Sequence, residues 1–446
     1  MESPGASRAG QRVPWLTRAL ERAPMAVLVG YAVVMAFSVY FCMYAFRKPF
    51  AAASWHGQML GPISLKGALV IGQLVGYASS KVIGIKFNSE LPLRSRRNAL
   101  FLLILAAEAA LFLFAVVPPR IQVLALFLNG LPLGTVWGIV FSFLEGRTSS
   151  EILGAGLSCS YVVASGYVKT VGAKLLHAGV SEDWMPAVTG LVFLVPFFLF
   201  AWGLSFVPAP SSVDVAQRTE REPMEREARR RFTRTYWPGL LLLVIVYLFL
   251  TAYRDFRDNY AADILHDMGL NDPSIFTRTE VPIALAVLLV LSLLFLVKDN
   301  RRGLLGAYLI MIGGAVLIGA ATLLFDSHAI GGQTWLTLVG LGLFLGYVPY
   351  GCVLFDRTIA ALGTVATAVF LIYVSDGVAY GGSVAVNLYK ALGQADLPYL
   401  DFFRGFSYAT AVVTAVCFTI SGVYFLRRAR RPAAEPVALP DSAATG

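Results

Sequence analysis

The chain has 446 residues, of which 57% are hydrophobic and 14% charged, and a formal net charge of +9. A mean hydropathy of +0.68 excludes a soluble domain of ordinary composition and indicates a polytopic membrane protein. Cys42, Cys159, Cys352 and Cys417 all fall inside predicted helices, so neither a disulfide framework nor zinc-ligand spacing is expected, and no pair of the four histidines has helical ligand spacing.

Positions 1–23 read as a basic arm without structure. Twelve runs then have the length of about 20 apolar residues that a bilayer core requires. They lie near 24–46, 62–84, 98–117, 121–144, 152–175, 185–207, 237–262, 279–297, 303–325, 332–355, 360–388 and 402–426. Their length predicts helices rather than the short alternating strands of a barrel. Lys and Arg cluster before helix 1, after helices 2, 8 and 12, and between helices 6 and 7, all on one side of the expected membrane. Both termini and the central loop 208–236 are then cytoplasmic by the positive-inside rule, and much of the net charge is topological rather than a sign of nucleic-acid binding. The basic start and apolar first run mimic a signal peptide, but the run exceeds a signal-peptide core and is expected to stay.

Helix 1 carries Tyr40, Tyr44, Arg47 and Lys48 in the stretch YFCMYAFRKPF. At about 100° per residue, Tyr40, Tyr44 and Arg47 share a face. Snorkelling near the outer interface is the alternative reading for the two cations. Helix 7 echoes the arrangement in YLFLTAYR, where Tyr247, Thr251 and Arg254 share a face. In helix 3, Glu108 is an ionisable group at membrane depth with no evident partner. Helix 4 runs from a Gly-rich segment to Glu145 and Arg147, and helix 10 likewise to Asp356 and Arg357. Gly134 to Gly346 spans 212 positions, Glu145 to Asp356 spans 211, and Arg47 to Arg254 spans 207. Three features at nearly one offset predict two homologous six-helix halves, 24–207 and 237–426, related by an axis along the membrane normal.

Helix 5 bears a polar stripe, Ser158, Tyr161, Ser165 and Lys169, and helix 11 bears Tyr373, Asp376, Tyr380, Ser383 and Asn387. Such stripes face a water-filled cavity or another helix, because lipid cannot satisfy them. Gly377, Gly381 and Gly382 beside the second stripe permit close approach or bending. Helix 7 turns Arg254, Asp255, Arg257 and Asp258 to one side; Arg254 and Asp258, at i, i+4, have the spacing of a pair. Asp258 and Glu280, the latter ahead of Pro282, are the nearest acids to balance Lys48. The central loop reads as a solvated or surface-lying basic helix, and 427–446 as a disordered tail.

At these residues the chain resembles the major facilitator superfamily, and within it the organophosphate:phosphate antiporter branch. Tyr44, Arg47, Lys48, Phe50 and Ala51 match that branch's first-helix motif, and Arg254 with Tyr260 its seventh-helix arginine. Glu280 with Pro282 looks like its eighth-helix acid, and Gly363-Thr364 through Gly381-Gly382-Ser383 resembles its helix 11. Gly76-Tyr77, Lys81, Gly84 and the basic cluster beyond resemble the superfamily's loop between helices 2 and 3, with Asn88, Ser89 or Glu90 replacing the expected Asp. The chain departs at Pro49, which replaces an Asn, in having Lys169 but no His in helix 5, and in the charges Asp255, Arg257 and Asp258. These departures suit an uncharacterised bacterial family of the superfamily. The resemblance implies an all-α, twelve-helix transporter of the bacterial inner membrane, monomeric and without cofactor. One arginine from each half then holds an anionic substrate, an organophosphate or carboxylate, at the domain interface, in exchange for phosphate or together with H+. The residues leave two other readings open: a proton-coupled carrier of a neutral or zwitterionic solute using Asp255, Asp258, Glu280 and Asp376, and a transporter-shaped receptor or scaffold. An enzyme is disfavoured, since no nucleophile-base constellation, metal motif or phosphate-binding Gly loop appears.

Overall fold

The computed structural model describes residues 14–55, 57–92, 95–145, 147, 150–211, 226–362 and 368–429. A short helix α1 (Trp15–Arg22) precedes α2 (Met25–Met43), α3 (Leu65–Glu90), α4 (Arg96–Val116), α5 (Pro119–Ser142), α6 (Ser150–His177) and α7 (Met185–Leu204). The second group is α8 (Arg226–Asn259), short α9 (Ala261–Asp267), α10 (Ile275–Phe295), α11 (Asn300–Asp326), α12 (Gly332–Pro349), α13 (Phe355–Leu362), α14 (Ala368–Leu388) and α15 (Tyr399–Arg428). Among the described residues, nine helices are long and apolar enough to cross a membrane, and the chain is an integral membrane protein. Helices α3, α6 and α14 are not among the nine; they carry the polar residues that build the site below.

The predicted runs and the observed helices coincide closely, with three differences. The arm expected to be unstructured contains α1, which buries Leu20. The central loop is shorter than expected, because α8 begins at Arg226; its first turns are rich in the helix formers Arg and Ala, and Phe232 is buried against Tyr236. A two-stranded hairpin, Met59–Leu60 with Ile63–Ser64, joins α2 to α3 in a fold expected to be all-α. The tail from 430, Gly363-Thr364 and the side chains of Tyr373, Asn88, Ser89 and Glu90 lie outside the described residues.

Helix pairings repeat between the groups. In the first, α5 packs on α3 and α4, α2 on α6 and α7, and α4 on α7; in the second, α12 packs on α10 and α11, α8 on α14 and α15, and α11 on α15. Each pairing of one set has its counterpart in the other, as two homologous halves require. Across the seam α6 packs on α10, and α14 on α3, which obey the same correspondence. The closest backbone approach lies inside the first half. A Cβ on Gly76 of α3 would sit 2.1 Å from the Phe127 carbonyl oxygen of α5, so only glycine fits there. Gly76→Val is therefore expected to cost about 1–3 kcal/mol or more by overpacking, read as an early loss of monodisperse protein on heating in detergent; an unchanged midpoint would refute the tight contact.

Candidate functional site

Helix α2 does not run through the charged pair that interrupts it. It passes at Tyr44 into one 3-10 turn, Tyr44–Phe46, and after Arg47 and Lys48 into a second, Pro49–Ala52. Pro49 has no backbone N–H to continue the helix and is well placed at the start of the second turn. The break leaves carbonyls that buried side chains satisfy. Asn129 of α5 donates to Phe46 O and to Ala107 O, both at 3.0 Å, while Gln73 of α3 donates to Arg47 O and Asn129 Oδ1, both at 2.9 Å. Arg47 and Lys48 are consequently 4% and 2% exposed. They are buried between the halves and do not snorkel.

A small cavity lies where the halves meet. Arg47, Lys48, Arg254 and Arg257 line it, with the carboxylates Asp255, Asp258 and Glu280 among them; Tyr44, Tyr161, Val162 and Phe344 supply aromatic and apolar wall. Asp258 is held by Lys48 at 2.6 Å and by Lys169 at 2.7 Å, and Ser165 donates to it as well. Lys48 also donates to Asn259 at 2.8 Å. Arg254 pairs with its neighbour Asp255 at 2.9 Å and bonds the Tyr347 hydroxyl, and Ser383 donates to Asp255 at 2.9 Å. Arg257 pairs with Glu280 at 2.7 Å. Arg47 stands apart. Its guanidinium lies over the Tyr77 ring at 3.8 Å, its Nε is buried without a partner, and no carboxylate among the described residues is within ion-pair reach. Counting Lys169 behind Asp258, five cations face three carboxylates.

The structure thus brings Arg47, Arg254 and Tyr44 to one cavity, with Lys169 one layer behind. Tyr40, Tyr247 and Thr251 do not line it. Tyr40 packs edge-on to Tyr44 and lies beside Tyr77 and Arg47, behind the lining residues. Tyr247 lies two turns below Arg254 and bonds Asp376 at 2.8 Å; the buried Thr251 hydroxyl has no partner. The expected Arg254–Asp258 pair does not form, because two lysines from the other half reach Asp258 and Arg254 turns to the adjacent acid. Of the two acids expected to balance Lys48, Asp258 does so and Glu280 does not.

Both predicted polar stripes face the seam. On α6, Ser158 approaches Cys352 at 3.5 Å, Tyr161 packs on Phe344 and Tyr347, and Ser165 and Lys169 bond Asp258. On α14, Asp376 pairs with Lys81, Tyr380 packs on Tyr77, and Ser383 bonds Asp255. Of the three glycines beside it, only Gly382 allows a close approach, to Leu248; a Cβ on Gly377 or Gly381 meets open space. The residues expected at helix ends tie loops: Arg147 bonds Pro208 O, Arg357 bonds Asn300 at 2.9 Å, and Glu145 is exposed. Asp356 is half-buried. Glu108 is buried against Gly190 of α7, with neither carboxyl oxygen hydrogen-bonded.

Two further ion pairs cross the seam, and residue-by-residue reading of the sequence did not single them out. Lys66 pairs with Asp263 at 2.5 Å and donates to the Ala53 and Ala51 carbonyls; Lys81 pairs with Asp376 at 2.8 Å. Both lysines belong to α3. Their signal was present, since a lysine inside an apolar span needs a partner, but the partner aspartates are about 200 and 300 positions away.

No curated protein sequence matches the chain. Solved structures do, at the level of fold. A peptide transporter crystallised with sulfate is 13% identical over 90% of this chain and 95% of its own, with a TM-score of 0.58. A D-xylose-proton symporter is 13% identical over 90% and 97%, with a TM-score of 0.59. A bacterial homologue of the human lysosomal transporter Spinster, inward-facing and unoccupied, is 12% identical over 91% and 99%, with a TM-score of 0.61. The chain shares the fold of these solved transporters. A family model covers residues 49–428, and by that match the chain belongs to DUF5690, a family of unknown function.

Proposed function

We propose that this protein is a secondary transporter of a small organic anion, an organophosphate or carboxylate, which it exchanges or co-transports by alternating access. The observation that carries the reading is the cationic excess of the central cavity, and above all Arg47, whose buried guanidinium has no carboxylate partner among the described residues. An unpaired charge in a low-dielectric setting is costly, and an anion between Arg47 and Arg254 removes that cost. A planar guanidinium from each half donates paired bonds to phosphate or carboxylate, so the ligand draws the halves together. The chain crosses the inner membrane twelve times as a monomer, with both termini in the cytoplasm; the Lys and Arg distribution and the repeated helix pairings support this placement. The fold shared with solved transporters favours movement of the solute over a receptor or scaffold role.

The test is a thermal-shift screen of purified protein against inorganic phosphate, sugar and glycerol phosphates, dicarboxylates, sulfonates and neutral sugars, beside an Arg47→Ala, Arg254→Ala double variant. At about 100 times Kd a ligand adds about 2.7 kcal/mol to the folded state. One anion class is expected to raise the wild-type midpoint and leave the variant unmoved. Equal shifts in both proteins, or stabilisation by neutral sugars alone, would sink the anion reading.

A further inference from the structure

A second small cavity lies at the end of the seam where α8 finishes, and it shares no lining residue with the central one. The first half supplies one wall. Its hairpin turns through Gly61, at φ +64°, and Pro62, and Ser64 then caps α3 by accepting from the Gly67 N–H at 3.2 Å. A turn of two residues fixes the register of its strands, and so places Met59 and Pro62 at the edge of the cavity. The second half supplies the other wall. Tyr260 stands between α8 and α9, Tyr399 opens α15, and Lys390 belongs to the π-helical turn Tyr389–Gly393 that prolongs α14. The Tyr399 hydroxyl approaches Ser64 Oγ at 3.5 Å, which brings the two walls together.

Lys390 sets the chemistry of this cavity. It is 4% exposed, and no carboxylate among the described residues is within ion-pair reach of its ammonium. The group donates to the Gln394 carbonyl at 2.7 Å and to the Ala395 carbonyl at 3.4 Å, and it lies over the Tyr399 ring at 4.7 Å. A lysine that caps a helix end in this way usually keeps its charge in water; here the charge is buried. An ammonium has three donors, so two carbonyls leave one over, and neither a carbonyl nor a ring face carries the full negative charge that a buried cation requires. The rest of the lining is largely apolar. Tyr260 and Tyr399 stack at 4.7 Å, and Ala391 and Ala395 leave room beside them. Outside the cavity, Asp267 and Asp396 are exposed and close enough to Lys390 to act on its charge, so they repel any second negative charge. A single buried cation, apolar walls and acids at the rim suit a monoanion on an apolar body and disfavour a phosphate dianion.

We infer that this cavity is a second ligand site, for a small carboxylate with an apolar or aromatic body. The carboxylate meets the Lys390 ammonium, and the body lies against Tyr260, Tyr399 and Met59. The occupant touches both halves at the end of the seam where α8 finishes. The site is separate from Arg47 and Arg254, and the inference does not rest on the proposed transport of an anion.

The test is thermal denaturation in lipid nanodiscs at constant ionic strength, with benzoate as the probe and benzyl alcohol and inorganic phosphate as controls. Wild type is set beside Lys390→Met, which removes the charge, and Ala391→Phe, which fills the cavity and leaves the charge in place. The Arg47→Ala, Arg254→Ala double variant reports on the central cavity. Saturating benzoate is expected to raise the midpoints of wild type and the double variant alike, by about 2 °C or more, and to leave Lys390→Met and Ala391→Phe unmoved. A benzoate shift lost in the double variant alone moves the carboxylate to the central cavity and overturns the site. A shift retained in Lys390→Met or in Ala391→Phe overturns it as well, as does the absence of a shift in wild type. An equal shift with benzyl alcohol, or a phosphate shift in the double variant, overturns the choice of a carboxylate. Because the double variant keeps the second cavity intact, failure of this site and failure of the central anion site give different results.

Discussion

Replacing Arg47 and Arg254 together by lysine should reduce uptake of the stabilising anion at least 100-fold while leaving the protein folded. The exchange keeps both positive charges, so the excess of five cations over three carboxylates is unchanged. What it removes is geometry. Arg47 is held flat over Tyr77 at 3.8 Å and Arg254 over Tyr347 at 4.5 Å, so each presents its donors in a fixed plane, whereas an ammonium is a mobile point charge. Losing one charge-assisted bond per arginine costs about 1.5–3 kcal/mol each, and a total of roughly 3–6 kcal/mol exceeds a factor of 100. The measurement is initial uptake into proteoliposomes, with the melting midpoint of ligand-free protein as the folding control. Uptake within tenfold of wild type would mean that charge alone recruits the anion, and the paired-plane geometry would be discarded.

Much of this site was legible in the chain before its structure. Arg47 and Arg254 stood out because a guanidinium in an apolar run has few bland explanations, and the polar stripes of α6 and α14 because lipid cannot satisfy them. Both stripes lie on the seam. The offsets near 210 that implied two halves correspond to the repeated pairings of α2 to α7 with α8 to α15. Partner choice was not legible. Helical spacing offered Asp258 to Arg254, but it describes one helix and carries no information about lysines arriving from helices 1 and 5. The break after Met43 was equally hidden, since it depends on Gln73 and Asn129 accommodating the carbonyls it frees. Lys66 was passed over as an ordinary helix-end cation, and Lys81 was noted only as part of the end of helix 2, without its partner.

Asp258→Asn is expected to be the most destabilising single substitution in the cavity. The native carboxylate neutralises Lys48 at 2.6 Å and Lys169 at 2.7 Å, and both lysines are 2% exposed. The amide keeps the shape and removes the charge, leaving two ammonium groups facing each other in a desolvated seam. Breaking a buried pair from one side costs about 3–5 kcal/mol, and here the lost carboxylate serves two cations. The lysines are not left alike. Lys48 retains Asn259 at 2.8 Å, while Lys169 retains only the Asp258 backbone carbonyl at 3.0 Å. Adding Lys169→Met to Asp258→Asn is therefore expected to recover more stability than adding Lys48→Met, because it removes the ammonium with the poorer remaining acceptor and leaves in place the one still hydrogen-bonded to the Asn259 side chain. Thermal denaturation of the three variants in one detergent decides the order. Equal recovery would show that repulsion between the lysines, which either substitution relieves, outweighs the local hydrogen bonding. No recovery from either would place the loss in Ser165 and the packing around α6 rather than in charge, and Asp258 would then be a structural acceptor rather than the electrostatic centre of the seam.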